Sequence, residues 1–292
     1  MELLRSLLFV PGNSRKMLEK AVSFTSDVLV PDMEDSVPIA EKSAARDEIA
    51  NMLPVLAQAG HRCVVRVNAL DTGLLEEDME AAITQYTYGI NVGKVDTIWH
   101  VKEVEKIVSA VEKRKGLENG QIKLVLFIES ALAVVNAYEI CSSSDRIIAA
   151  ALGAEDFTVD MGTERTEEGS EVLMPRAMVA MAARAAEIVP LDIVYTNFRD
   201  EEGLRRDTQL GKSLGYKGKF AIHPAQVDPI NELLSPLPDE IEYARKVVQA
   251  FEEAEAIGRG STSLDGKMID VPIVKRARSL LAAVDARIRV DN

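Results

Sequence analysis

Eight short β-rich runs recur along this chain with helical segments between them, and that alternation restricts the fold more than any other feature. The runs are LLFV (7–10), VLVP (28–31), CVVRV (63–67), INVGKV (90–95), KLVLFI (123–128), IIAAAL (147–152), DIVYT (192–196) and KFAIH (219–223). Most are separated by segments of helical spacing or composition, such as AEKSAARDEIANMLPVL, VKEVEKIVSAVEKR, ALAVVNAYEICSS and PRAMVAMAARAAEI. Parallel neighbours need a crossover connection, so alternating strands and helices imply a parallel sheet. Eight such units within residues 1–228 predict an α/β protein with a (β/α)8 TIM barrel, a fold that takes roughly 250 residues. A doubly wound open sheet is the alternative, and INVGKV is the weakest of the eight runs.

Residues 229–292 are predicted as a C-terminal helical extension: DEIEYARKVVQAFEEAEAI (239–257) is one amphipathic helix, GRGSTSLDG a connector, and VPIVKRARSLLAAVDARI a last helix with Pro272 near its start. The extension is too short for a separate domain, so it is expected to pack on the barrel or on a neighbouring subunit.

No apolar run approaches the roughly 20 residues that span a bilayer, and MELLRSLLFVPGN has too short an apolar stretch for a signal peptide, so no membrane partner and a cytoplasmic location are expected. A net charge of −13 argues against nucleic acid, whose binding relies on concentrated positive charge. Local basic residues could still hold a phosphorylated small molecule. Cys63 and Cys141 stand in no metal or disulfide spacing and read as buried thiols.

A TIM barrel builds its active site at the C-terminal ends of its strands, so the residues at and just past the end of each run carry the information. They are Pro11, Gly12 and Asn13; Asp32, Glu34 and Asp35; Arg66 and Asn68; Lys94; Glu129; Glu155 and Asp156; Asn197, Arg199 and Asp200; and His223. Each alone is an ordinary loop residue, but nearly every run delivers a polar group to the same rim. Glu129 and Asp156 come after adjacent strands, and two converging carboxylates repel unless a cation lies between them or one is protonated. Oxygen ligands without Cys or His suit a hard ion such as Mg²⁺, which keeps several waters and leaves room for a chelating substrate. Arg66, set in the apolar CVVRV, can pair bidentately with a carboxylate. Together these parts suit an α-keto acid whose enolate a metal stabilises, as in aldol-type carbon–carbon chemistry. Phosphoenolpyruvate enzymes and enolases use similar parts, so the residues alone stop at reaction class.

The segments RSLLFVPGNSRKMLEKA, VPDMEDSVPIAEKSAAR, VVRVNAL, LFIESA, GAEDF, YTNFRDEEGLRRD, GYKGKFAIHPAQVDPINELLSP and GKMIDVP together resemble the citrate lyase β-subunit-like family of acyl-CoA lyases, within the HpcH/HpaI aldolases, from residue 5 to about 285. The closing GKMIDVPIVKRA and IHPAQV resemble its stand-alone citramalyl-CoA and malyl-CoA lyase branch. The resemblance implies a Mg²⁺-dependent homotrimer, or a dimer of trimers, that splits a 3-hydroxyacyl-CoA into a short acyl-CoA and a keto acid. It implies Glu129 and Asp156 as metal ligands, Arg66 as the keto-acid anchor, and a CoA thioester site involving Phe9, Pro11, Gly12, Asn13, Lys16 and Lys20, with Ile222 and His223 lining the same cleft. Asp270 becomes the acid/base, reaching into an adjacent subunit's site, with the extension as a lid. Rival expectations are a citrate lyase β subunit acting on citryl-ACP to give oxaloacetate, and a non-catalytic subunit that binds CoA esters.

Gly93 stands where the family usually has Pro, which bears on the loop after the fourth strand; Ser130 and Ala133 depart from the usual Glu-Thr-Ala pattern, which bears on the space beside the metal; both bear on substrate size rather than reaction type. His223 reads as a hydrogen-bonded lining residue without a proton-transfer role. Asp32, Glu34 and Asp35 are expected to orient metal-bound waters and lysines, the glutamates of TERTEEGSE (163–171) to form a solvated loop, and Trp99 to pack.

Overall fold

Eight strands close into a parallel barrel, which excludes the open sheet; seven of them fall on the predicted runs. The computed structural model describes residues 4–256 and 258–290. The barrel strands, each paired with its neighbours in chain order, are β1 (Ser6–Pro11), β2 (Val28–Asp32), β3 (Arg62–Val67), β4 (Gly89–Val92), β5 (Lys123–Ile128), β6 (Ile147–Leu152), β7 (Val189–Asp192) and β8 (Gly218–Ala221), with β8 closing on β1. The helices between and after them are α1 (Arg15–Ala21), α2 (Lys42–Gln58), α3 (Leu75–Ala82), α4 (Ile98–Lys115), α5 (Ala131–Val135), α6 (Ala137–Cys141), α7 (Ala154–Met161), α8 (Ser170–Ala185), α9 (Glu201–Leu214) and α10 (Val227–Leu234). The chain divides into two compact units, Leu4–Leu234 and a unit beginning at Ser235. Among the described residues no helix is long and apolar enough to cross a membrane.

Both faces of the strands are buried, which explains runs that are apolar throughout rather than alternating. Within β5, Val125 and Phe127 join the inner cluster with Leu7, Val28, Val30, Val64, Ala149, Leu191 and Phe220. Leu124, Leu126 and Ile128 instead pack outward with the helices. Phe9, Phe127 and Phe220 stack across the inside, with centroids 4.8–6.4 Å apart. The alanines of β6 leave room for them. Both cysteines are buried thiols, and burial pushes each up to about 12.

Several local expectations are corrected. The seventh strand is VPLD, not DIVYT, although Pro190 within it argues against a strand in sequence. It ends early because the Ile193 carbonyl accepts from Lys219 Nζ, at 2.7 Å, instead of continuing the ladder. The fourth strand stops at Val92, before Gly93 and Lys94. ALAVVNAYEICSS forms two short helices that meet at Asn136. Glu171 belongs to the first turn of α8 rather than a solvated loop. Partial burial opposes its charge, but hydrogen bonds from the Thr166 amide and hydroxyl and from Arg165 bring its carboxyl down to about 2. Trp99 does not pack into the core: it is 59% exposed and lies edge-on to His100.

The C-terminal unit contains α11 (Pro238–Ala256), a hairpin of β9 (Thr262–Leu264) and β10 (Lys267–Ile269), and α12 (Val271–Val290). The expected connector is therefore partly a strand. Asp265 and Gly266 both adopt positive φ, 50° and 75°, as a two-residue hairpin turn of this kind requires. Ala244, Val247, Phe251, Ile269, Val274 and Ala277 make the unit's own apolar core.

Between β7, β8 and the helices outside them lies a buried ionic network. Arg176 holds Asp192 bidentately at 2.7 and 2.6 Å and Asp207 at 2.8 Å, while Lys219 donates to Asp192 at 2.9 Å and to Asp207 at 2.6 Å. Gly211 closes over it: a Cβ there would stand 2.2 Å from Asp192 Oδ2. Removing one partner strands buried charge, so Asp192→Ala is expected to lower stability by about 3–5 kcal/mol. Denaturant unfolding followed by circular dichroism checks this, and a change within the noise of a surface substitution contradicts it.

Candidate active site

Strand parity brings the site together. Phe9, Asp32, Arg66 and Asn91 occupy inward positions on β1 to β4, and Glu129 continues the inward parity of Phe127 just past β5. Asp32 and Arg66 are register partners, as are Arg66 and Asn91. Arg66 donates Nε–H to Asp32 Oδ1 at 2.7 Å and an Nη2–H to Asp32 Oδ2 at 2.6 Å, and its guanidinium lies 4.6 Å from the centre of the Phe9 ring. Its Nη1 faces Glu34 at 3.1 Å and Asp35 at 3.2 Å. Burial works against charge on Asp32, yet the Arg66 hydrogen bonds outweigh it and hold the carboxyl below its usual range. Asp32, Glu34 and Asp35 thus engage Arg66 first, with Glu34 also 3.7 Å from Lys94 Nζ.

The loop that presents these acids is pinned from behind. Lys42, buried and overlooked in the sequence, donates Nζ–H to the Met33 and Glu34 carbonyls, both at 2.7 Å, and to Asn68 Oδ1 at 2.8 Å. Asn68 in turn binds Asp78, so it supports the rim rather than facing the cavity. Asn91, also overlooked, is fully buried. It donates to the Val125 carbonyl and leaves Oδ1 without a protein partner among the described residues.

Glu129 is held by the loop after β4. Its Oε2 accepts the Lys94 backbone N–H at 2.8 Å, and Lys94 takes the uncommon φ of 55° to offer it. A Cβ on Gly93 would lie 2.5 Å from that same Oε2, and one on Gly153 would lie 2.4 Å from Glu129 Cγ. The departure at Gly93 therefore gives this carboxylate its space. Burial, then the negative charge of Glu34 and Asp156, raises Glu129 to about 8; burial raises Glu34 to about 7. Ser130 turns away to cap α5, accepting from the Ala133 amide and donating to Asp96 at 2.5 Å, and Ala133 is core. Those two departures serve local packing.

Asp156 and Glu155 sit in the first turn of α7, where the helix dipole favours acids. Glu155 is half exposed and 3.7 Å from Arg165. A cavity of about 100 Å³ opens between Phe9, Phe127, Leu152 and Val194 on its apolar side and Arg66, Glu129 and Asp156 on its polar side. Around it Asp32, Glu34, Asp35, Glu129 and Asp156 outnumber the cations Arg66 and Lys94. Burial first, and this excess of acid behind it, raise Glu34 and Glu129, and a hard dication would relieve the excess. Among the described residues no group of three or more His, Cys, Asp or Glu could hold a metal, so two carboxylates with water or substrate oxygens are the donor set that fits.

The remaining predicted residues fall at several places. Phe9 forms the cavity floor. Gly12 is packed against the Asp32 carbonyl, 2.4 Å from where a Cβ would be, and Pro11 is half-buried at the end of β1. Asn13 donates to Glu41 at 2.5 Å, and Lys16 and Lys20 are exposed on α1. Ile222 and His223 are exposed after β8; His223 stacks on Phe198 at 4.9 Å and accepts the Ala225 N–H, a capping role. Asp270 lies in the C-terminal unit between β10 and α12, where its Oδ1 accepts the Ile273 N–H at 3.3 Å.

Known proteins share this architecture. Citrate lyase subunit beta of Leuconostoc mesenteroides subsp. cremoris is 40% identical over 288 residues, covering 99% of this chain and 95% of that one. The mitochondrial citramalyl-CoA lyase of Homo sapiens is 31% identical over 285 residues, covering 94% and 84%. The crystal structure of CitE from Mycobacterium tuberculosis, in complex with magnesium, acetoacetate and coenzyme A, superimposes with a TM-score of 0.78 at 26% identity over 96% of this chain and 97% of that one. Residues 5–224 match the description HpcH/HpaI aldolase/citrate lyase, and this chain belongs to that family.

Proposed function

We propose that this protein is a Mg²⁺-dependent carbon–carbon lyase that cleaves a 3-hydroxyacyl-CoA, such as (3S)-citramalyl-CoA or malyl-CoA, to acetyl-CoA and pyruvate or glyoxylate, and runs reversibly. The observation that carries this reading is the convergence of Glu129, Asp156 and Arg66 on one small cavity at the C-terminal rim of the barrel. Bound there, Mg²⁺ supplies Lewis-acid stabilisation to a keto-acid oxygen. Arg66, pre-oriented by Asp32 and Phe9, offers its remaining N–H to the keto-acid carboxylate. Phe9, Phe127, Leu152 and Val194 exclude water behind the reacting carbons. Asp270 takes the hydroxyl proton in cleavage and returns a proton to the acyl-CoA carbon. The tail (229–292) acts as a lid for the barrel (1–228) of a neighbouring subunit, in a homotrimer or dimer of trimers. Phe9, Asn13, Lys16, Lys20, Ile222 and His223 flank the CoA path, and a cytoplasmic location suits chemistry on CoA thioesters.

A second reading, citryl-ACP cleavage to oxaloacetate as a citrate lyase β subunit, is favoured by the 40% identity to a protein of that name. A panel of hydroxyacyl-CoA thioesters and citryl-ACP, assayed with and without EDTA, separates the two. The expected outcome is EDTA-sensitive cleavage of a CoA thioester by the isolated chain, lost by about 10²–10³-fold in Asp156→Ala. Turnover that ignores EDTA, or an unaffected Asp156→Ala, contradicts the reading.

With its carboxyl at about 8, Glu129 holds a proton at neutral pH, and a bound cation must displace it. Calorimetric Mg²⁺ affinity should therefore rise with pH, by up to about tenfold per unit, and level off above about 8. Gly93→Ala should weaken Mg²⁺ binding about tenfold at every pH by crowding Oε2. A flat pH profile with an unaltered Gly93→Ala would remove Glu129 from the metal site.

For Asp270 the informative change is Asn, which keeps helix capping while removing the ionisable group. Asp270→Asn should reduce turnover about 10²–10⁴-fold with thermal stability and Mg²⁺ affinity unchanged. Full turnover would exclude the acid/base role.

A further inference from the structure

The seam between β7 and β8 is short. Leu191 pairs with Gly218 and Asp192 with Lys219, and toward the rim from that level side chains join the two segments. Lys219 Nζ donates to the Ile193 carbonyl at 2.7 Å, and Gln226 Nε2 donates to the Tyr195 carbonyl at 2.8 Å. Val194, between those two carbonyls, lines the cavity. Its main chain is thus held on both sides by groups from β8 and the turn that follows it. The loops make other contacts as well. His223 stacks on Phe198, and Tyr195 Oη donates to Asp200 at 2.9 Å, whose other carboxylate oxygen accepts the Gly203 N–H at the start of α9.

Gln226 is 1% exposed, and a buried amide costs free energy unless its donors and acceptor find partners. Its Oε1 accepts the Ile222 N–H at 2.8 Å and the His223 N–H at 3.2 Å, which occupies both lone pairs and leaves Nε2 for Tyr195. The bond to the His223 N–H closes a capping box over the short turn Pro224–Gln226. Capping that turn needs no contact with Tyr195, 31 residues earlier in the chain. We propose that Gln226 is a positioning residue, which sets Val194 on the keto-acid side of the cavity relative to Ile222 and His223 on the path of the CoA thioester. The proposal rests on the lyase reading for the roles of those three residues. Carbon–carbon cleavage and its reverse need the two reacting carbons held about 3–3.5 Å apart, and here the two fragments lie against loops that follow different strands. A single buried amide bonded to both loops gives them a common reference. Gln226 does not line the cavity, so it acts through the loops it joins.

Steady-state kinetics of two full-chain variants tests it. Gln226→Met keeps the length of the side chain and removes all three of its hydrogen bonds. Gln226→Glu keeps an acceptor for the Ile222 and His223 amides but, when ionised, has no hydrogen for the Tyr195 carbonyl. Gln226→Met should raise KM for the CoA thioester about tenfold and lower kcat about 10²-fold. Gln226→Glu should bring KM back to within about threefold of wild type while kcat stays about 10²-fold low. Calorimetric Mg²⁺ affinity should match wild type in both, because Glu129 and Asp156 follow β5 and β6. Gln226→Ala, which leaves room for water on the freed groups, replaces a variant that does not fold and should behave as Gln226→Met. Folded variants with wild-type kcat and KM overturn the proposal. So does a loss of kcat, KM and Mg²⁺ affinity that is the same in every variant, which is the mark of general destabilisation. A wild type with no turnover contradicts the lyase reading, and the proposal falls with it; an active wild type beside unaffected variants overturns the proposal alone.

Discussion

The ion pair between Asp32 and Arg66 is the contact around which the mouth of the barrel is arranged. Both residues face inward from adjacent strands at the same register level, so the barrel's own pleat brings them together. Once Asp32 holds the guanidinium in plane over Phe9, its far side can only face the loop after β2, and Glu34 and Asp35 meet it there. Glu34 reaches on to Lys94, and the Lys94 backbone holds Glu129. The arrangement is therefore one connected sequence of charges from β2 to β5, with Lys42 fixing the carbonyls behind it. Pairing at one end lets Asp32 stay ionised, while Glu34 and Glu129, farther from a dedicated cation, bear the cost of burial as raised protonation.

Much of this was legible in the sequence because a barrel sorts residues by parity. KLVLFI and IIAAAL match their strands residue for residue. Glu129 and Asp156 stand just past the ends of those two runs and Arg66 near the end of its own, at the rim where a barrel gathers its chemistry. The same parity would have flagged Asn91, a polar residue at the inward position of an apolar strand, but its short run hid it. Contacts made by backbone could not be read in this way. The end of β7 depends on an ammonium from β8 taking the Ile193 carbonyl, and Lys42 acts through two main-chain oxygens. Trp99 shows a different limit: helical position specifies which way a side chain points, not whether anything covers it.

Gly93 marks where composition and geometry part company. In sequence it looks like a loosened loop. In three dimensions it and Gly153 are the two walls against which Glu129 is set, and a methyl group on either would overlap the side chain. Gly93 does not use positive φ, so its value here is the missing Cβ rather than conformational freedom; Lys94, beside it, carries the unusual φ. The pair divides the labour, with one residue yielding space and the next turning its N–H to the carboxylate.

A similar division separates Glu155 from Asp156. Successive residues in an α-helix point about 100° apart, so two adjacent acids in the first turn of α7 cannot address the same partner. Glu155 lies near Arg165 and solvent, while Asp156 adds to the charge that raises Glu129 and Lys94. Both benefit from the helix N-terminus, which lowers the cost of placing acid where β6 leaves the apolar core. The strand-to-helix turn at Gly153 thus sets Asp156 beside the cavity and leaves its neighbour as a surface ion pair.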